Sequence, residues 1–159
     1  IAQKFASENR KKMIEKMLEF FGYRFNVDNF WESVHNYIDF EDMTVRKGAT
    51  PARKGQKIIV PINMRDGSII AMGKGNQEWL QSAPHGAGRV MSRSQAKESI
   101  SLQDYKESME GVKSFTVTEN TLDEAPQAYR NIDEIVEATK ETMDIIEVIK
   151  PIFNFKGLQ

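Results

Sequence analysis

Cysteine is absent from the chain. That excludes disulfides and thiolate metal ligands, and it suits a reducing, cytoplasmic setting. Histidine is nearly absent: His35 and His85 are the only two. One imidazole cannot make a strong metal site, so metal chemistry built from these residues alone is disfavoured. An excess of one charge is also missing. Lys and Arg number 22 against 23 Asp and Glu, a formal net charge of -1. This excludes a dedicated basic tail but not a local basic stripe for nucleic acid. No run of about twenty apolar residues exists to span a membrane, and no signal-peptide core stands at the start. The chain opens on Ile1 without an initiator Met, and a truncated protein is the expectation. Its 159 residues suffice for one domain with a sizeable core. Repeats and low-complexity tracts are missing too.

What is present reads as one α+β domain, a mixed β-sheet with packed helices. Residues 2–21 have helical periodicity through Phe5, Ile14, Met17, Leu18 and Phe21, and Gly22 ends the run. Asp28 is placed to cap a short helix holding Phe30 and Trp31, which would deliver His35 near its end. Residues 44–56 read as a loop. Lys57 to Ile62 and Ser68 to Met72 read as strands joined at Asp66-Gly67. Asn76, Ser92 or Ser94, Ser101 and Asn131 are candidate helix caps, and Thr121 with Glu124 has capping-box spacing. Residues 113–118 alternate like a strand. Ile135, Val136, Met143, Ile146 and Ile149 have the spacing of one helix ending before Pro151. The three large apolar residues of 152–155 should pack back on the body. Trp31, Trp79 and the phenylalanines read as core.

The segment Ala83-Pro84-His85-Gly86-Ala87-Gly88-Arg89 carries the clearest chemistry. A neutral imidazole can attack phosphorus and form a phosphoramidate. Such a reaction needs donors around the phosphate. Gly86 and Gly88 can expose backbone N–H groups, while Arg89 and Arg93 can clamp oxygens and Ser92 can add a hydroxyl. The competing reading is a glycine turn before a solvated helix. His35 can ligate a metal if partners arrive from elsewhere; Asp39, Glu41 and Asp42 read as surface carboxylates. The loop 46–55 has four basic residues and no acid, which suits a phosphate or a polynucleotide backbone. A solvated turn explains it equally. Asn63, Asp66 and Ser68 can read a nucleobase edge, although turn formation accounts for them as well.

Together these segments resemble the C-terminal part of the RtcB family of RNA-splicing ligases, over residues 30–157. The resemblance rests on His85-Gly86-Ala87-Gly88-Arg89-Val90-Met91-Ser92-Arg93. It is supported by His35-Asn36-Tyr37, Arg46-Lys47-Gly48-Ala49-Thr50-Pro51, Asp123-Glu124-Ala125-Pro126 with Tyr129, and Lys156-Gly157. It implies a GTP- and manganese-dependent ligase. RNA 3'-phosphate or 2',3'-cyclic phosphate ends would be joined to 5'-hydroxyl ends through a histidine guanylate. His85 would be the nucleophile and His35 a metal ligand. Asn63, Ser68, Gly86, Ala87, Gly88, Tyr129 and Lys156 would hold the guanylate alongside His85. Lys47, Arg89 and Arg93 would meet phosphate or RNA. An archease-type activating protein is a possible partner.

Two departures qualify this. The family's other metal ligands, which include a cysteine, belong to an upstream portion; on this reading residues 1–159 are a C-terminal fragment that is inactive alone. The turn Ile62-Asn63-Met64-Arg65-Asp66 differs from the Gly-Ser-Met-Gly form of many members, which points to a bacterial subgroup acting in RNA repair. The competing classes are a non-catalytic RNA- or phosphate-binding module and a purely structural fragment.

Overall fold

The computed structural model describes residues 1–157 and divides into two compact units, residues 1–32 and residues 33 onward. In the first unit, α1 spans Ala2–Phe20. None of its residues is buried, although the apolar spacing is there. Arg10 Nε and Ser7 Oγ each donate to the Glu32 carboxylate at 2.8 Å. The expected helix around Phe30 does not form. A 3₁₀ turn at Val27–Asn29 takes its place, capped by Asn26, and Phe30 is extended. Asn26 wins because its side-chain oxygen accepts the Asp28 N–H at 2.9 Å, an Asx turn that stops propagation.

The second unit is α+β, as the sequence implies. Its strands are β1 Tyr37–Asp39, β2 Thr44–Arg46, β3 Ala49–Pro51, β4 Lys57–Asn63, β5 Gly67–Gly73, β6 Ser82–Pro84 and β7 Met143–Ile149. Three antiparallel sheets result among the described residues: β1-β2, β3-β6 and β4-β5-β7. The helices are α2 Arg93–Ser99, α3 Leu102–Ser108 and α4 Ile132–Ala138. Ser92, Ser101 and Asn131 cap them by accepting N–H bonds from three residues on. Asn76 caps a 3₁₀ turn in the same role.

Several expectations are corrected. The stretch 44–56 is not all loop, because β2 and β3 lie within it. Residues 113–118 form no strand; Lys113 makes only an isolated parallel bridge to Phe153. The capping box belongs to Thr118 and Thr121 rather than to Thr121 and Glu124. The single helix over 135–149 is instead α4 followed by β7. Four β-branched residues, Ile145, Ile146, Val148 and Ile149, favour an extended chain, and the open edge of β5 supplies the partner. Trp31, Trp79 and most phenylalanines are exposed rather than core. Ile152, Phe153 and Phe155 are exposed too, although Lys113 N–H donates to the Ile152 carbonyl at 3.1 Å and holds the tail's backbone.

Two apolar cores remain among the described residues. One joins Ile58, Val60, Ile62, Ile69 and Ala71 of β4 and β5 to Ala83, Ala87, Ile135 and Met143. The other packs Met64, Ala96, Ile100, Tyr105, Met109, Leu122, Ala125 and Ala128. The strand β4 enters the first core through Ile62, and Met64 just beyond it enters the second. Among the described residues no helix is long and apolar enough to cross a membrane.

Candidate active site

A cavity of about 620 Å³ opens where residues of both cores meet, within the size range of small-molecule sites. Ile62 and Ala87 from the first core and Met64 from the second line it. All eight residues expected to hold a guanylate reach its wall: Asn63, Ser68, His85, Gly86, Ala87, Gly88, Tyr129 and Lys156. Arg89 joins them. Lys47, Arg93 and His35 do not line it.

The loop 85–89 is fixed from both sides. Ala87 N–H donates to the Pro61 carbonyl at 3.0 Å, which ties it to β4. Val90 N–H donates to the Ala128 carbonyl at 2.9 Å, and Arg130 N–H donates to the Gly88 carbonyl at 3.2 Å. Gly88 has φ 72, a left-handed conformation that glycine adopts without penalty. No carbonyl among the described residues accepts the N–H of Gly86 or Gly88. Both residues line the cavity with these N–H groups uncommitted.

His85 follows β6, and Gly48 precedes β3. The antiparallel pairing of those strands sets the two residues opposite each other. The ring is exposed, and its Nδ1 lies 2.7 Å from the Gly48 carbonyl oxygen. A carbonyl only accepts, so Nδ1 carries the proton and Nε2 presents a lone pair when the imidazole is neutral. Asn36, at φ 56, fastens Gly48 by accepting its N–H through Oδ1 at 2.8 Å. The same contact brings in His35, whose ring stacks on His85 with centroids 4.8 Å apart and planes 17° apart. Local spacing gave no hint of this pairing.

The acids beside His35 face elsewhere. Asp39 is buried, not a surface carboxylate, and accepts from Arg46 Nη1 and Arg53 Nη2, each at 2.6 Å. Asp42 accepts from Arg46 Nη2 at 2.6 Å. That hydrogen bond holds its carboxyl down at about 2 against a desolvation that opposes it. Arg46 also donates to Ser82 Oγ at 3.0 Å and to the Leu80 carbonyl at 3.1 Å, which ties the β1-β2 hairpin to β6. Two of the four cations in the basic loop, Arg46 and Arg53, are therefore neutralised internally, while Lys47 stays exposed. Among the described residues no group of three or more His, Asp or Glu is arranged to hold a metal ion.

At the other wall, Tyr129 OH donates to Glu124 Oε2 at 2.8 Å. Burial, then this carboxylate, push the phenol up to about 12. Each nitrogen of Arg89 is engaged: Nε with the Met91 carbonyl at 3.1 Å, Nη1 with Tyr129 Oη at 3.1 Å, and Nη2 with the Asp123 carbonyl at 2.5 Å. Arg93 pairs with the Asp123 and Glu124 carboxylates. Both amide groups of Asn63 serve its turn. Oδ1 accepts from Arg65 and Asp66 N–H, and Nδ2 donates to Asp66 at 2.8 Å.

Two features escaped the sequence reading, the Gly48 carbonyl and Asn154, while Glu124 entered it within the motif Asp123-Glu124-Ala125-Pro126 without its place behind the wall. Asn154 lines the cavity, and its buried Oδ1 has no partner among the described residues. A backbone carbonyl leaves no signal in residue identity, and Asn154 is marked only by its nearness to Lys156.

The family model described as tRNA-splicing ligase RtcB matches residues 1–157, and so extends beyond the expected 30–157. The RNA-splicing ligase RtcB of Escherichia coli strain K12 is 37% identical over 129 residues, 77% of this chain and 31% of that protein. The tRNA-splicing ligase RtcB of Nanoarchaeum equitans is 30% identical over 178 aligned positions, 92% of this chain and 36% of that protein. The chain thus spans about a third of the length of the curated relatives it matches. With its histidine–glycine loop on a cavity built from the same segments that carry the likeness, the chain belongs to the RtcB tRNA-splicing ligase family.

Proposed function

We propose that the cavity is the guanylate site of a GTP-dependent RNA ligase and that His85 is its nucleophile. One observation carries the reading: an exposed imidazole stands at a cavity with Nδ1 held on the Gly48 carbonyl, which leaves Nε2 for attack. The Nε2 lone pair attacks the α-phosphorus of GTP. The bond from that phosphorus to the bridging oxygen breaks, and pyrophosphate leaves with the electron pair. The positive charge gained by the ring is shared with Nδ1–H, where the Gly48 carbonyl stabilises it. Gly86 and Gly88 N–H groups face the oxygens of the reacting phosphate. Ser68, Tyr129 and Lys156 hold the nucleoside part. Asn63 contributes by shaping the turn.

An RNA 3'-phosphate oxygen then attacks the same phosphorus and displaces the imidazole. The RNA 5'-hydroxyl attacks the activated 3'-phosphate, its proton is lost, and GMP departs. A 3'-phosphate is a poor electrophile until it acquires this leaving group. Ends that begin as 2',3'-cyclic phosphates must first be opened to 3'-phosphates.

Lys47, exposed beside Gly48, is the cation for approaching RNA. Arg89 and Arg93 reach phosphate only by exchanging protein partners, so their first role is to brace the loop. His35 is one candidate manganese ligand. The described residues do not complete a metal site.

The test is incubation of the full-length protein with α-labelled GTP and manganese. An acid-labile, base-stable label on His85 is expected, and His85→Ala should lose it entirely. Undiminished labelling in that variant would overturn the assignment. Salt-dependent RNA binding without any label would instead favour a non-catalytic binding module.

A further inference from the structure

We propose that Glu124 is the positioning residue of the nucleotide site, fixing the Lys156 ammonium and the Tyr129 hydroxyl, and that the preference for GTP over ATP depends on it. The inference rests on reading the cavity as a nucleotide site. Glu124 does not line the cavity; it stands behind the wall at the end of the 3₁₀ turn Glu119–Glu124. Its side chain is only 14% exposed. Oε2 receives Tyr129 OH at 2.8 Å and Lys156 Nζ at 3.0 Å. Oε1 receives Arg93 Nη1 at 2.9 Å, and Arg93 is itself held by Asp123. One carboxylate therefore orients two cavity side chains that lie 27 positions apart in the sequence, and it is braced from outside by an arginine.

The pairing changes what Lys156 offers. A free ammonium is a strongly hydrated point charge that suits phosphate. Beside this carboxylate, which Arg93 shares, one of its three N–H bonds is committed and its position is fixed, while two remain to donate. Such a group suits a neutral acceptor, the carbonyl oxygen of a 6-oxo purine, and has nothing to offer the amino group of a 6-amino purine. Burial alone would push Glu124 toward the neutral form. The bonds from Tyr129 and Lys156, with the charges of Lys156 and Arg93, outweigh it and keep the acid below its ordinary range. The carboxylate stays charged and the donors stay aimed.

The experiment measures single-turnover labelling of His85 in the full-length protein with manganese, using GTP and ATP over a range of concentrations. Glu124→Gln keeps the shape and removes the charge. It should raise the half-saturating GTP concentration about tenfold and lower the GTP-over-ATP preference about tenfold, with the maximal labelling rate within about threefold of the parent. In a Lys156→Met background the same change should alter the GTP-over-ATP preference by less than about twofold, because Lys156 is the group through which Glu124 sets that preference. Unchanged half-saturation and preference would overturn the assignment, as would full additivity with Lys156→Met. A smaller labelled fraction with the preference intact would also overturn it, since that is the mark of a merely structural role. If Glu124→Gln fails to fold, Glu124→Asp should lower the preference about threefold through its shorter reach, and an unchanged preference there overturns the proposal equally. Parent protein that labels while the variants keep its preference removes this inference alone. Parent protein that never labels removes the nucleotide reading together with it.

Discussion

Asn36 is an exposed side chain that can orient the proposed nucleophile without touching it. Its left-handed backbone at φ 56 costs an ordinary residue about 1–2 kcal/mol, and asparagine less. Its amide oxygen holds Gly48 N–H, and the Gly48 carbonyl in turn selects the His85 tautomer. Asn36→Gly keeps the backbone conformation accessible and removes only the anchor. We expect the labelling rate of His85 to fall about tenfold, a change of about 1.4 kcal/mol in the barrier, while the thermal unfolding midpoint moves by no more than a few degrees. An unchanged rate would mean that Gly48 is held well enough by its strand. Residue identities pointed to His85 by its chemistry, and to Tyr129 and Lys156 only through the family likeness. The atoms that orient them, one backbone carbonyl and one carboxylate behind the wall, emerge only when distant strands and turns are brought together.

At the scale of elements, the turn between β4 and β5 controls one rim of the cavity. Gly67 has φ 82, and a Cβ there would lie 1.9 Å from the Ile149 carbonyl oxygen of β7. Gly67→Ala should therefore cost about 1–2 kcal/mol from backbone strain alone, and more because β7 must retreat. The readout is the denaturant midpoint together with hydrogen exchange along 143–149. A midpoint within error of the parent would show that β7 is not bound at this register. Local signals served well where the structure is local. Ser92, Ser101 and Asn131 announce α2, α3 and α4, and Asp66-Gly67 announces the hairpin. They failed at β7, because apolar residues at 135, 136, 143, 146 and 149 fit a helical face. Its strand character depends on the free edge of β5, from Ser68↔Ile149 to Gly73↔Met143 in the pairing register. Likewise β2 and β3 are three residues each, too short to show alternation.

For the molecule as a whole, acid should dissolve the ion cluster of Asp39, Asp42, Arg46 and Arg53. Asp42 is held at about 2, below its ordinary 3.8. The depressed value means that its stabilising effect is complete above the ordinary pKa and is lost as pH falls through the folded one. Unfolding midpoints should therefore be flat down to about pH 4 and decline between about pH 4 and pH 2 on this account. In Asp42→Asn that part of the decline should vanish; a profile parallel to the parent's would exclude the cluster as its source.

The cavity wall has a consequence of its own. Its pieces come from residues 61–68, from 85–89, from Tyr129 and from 149–156, stretches that become neighbours only after the long-range strand pairing is complete. A nucleotide lodged there would work as a clasp across four distant parts of the chain. Loading the site and completing the fold would then be linked equilibria, each drawing the other forward.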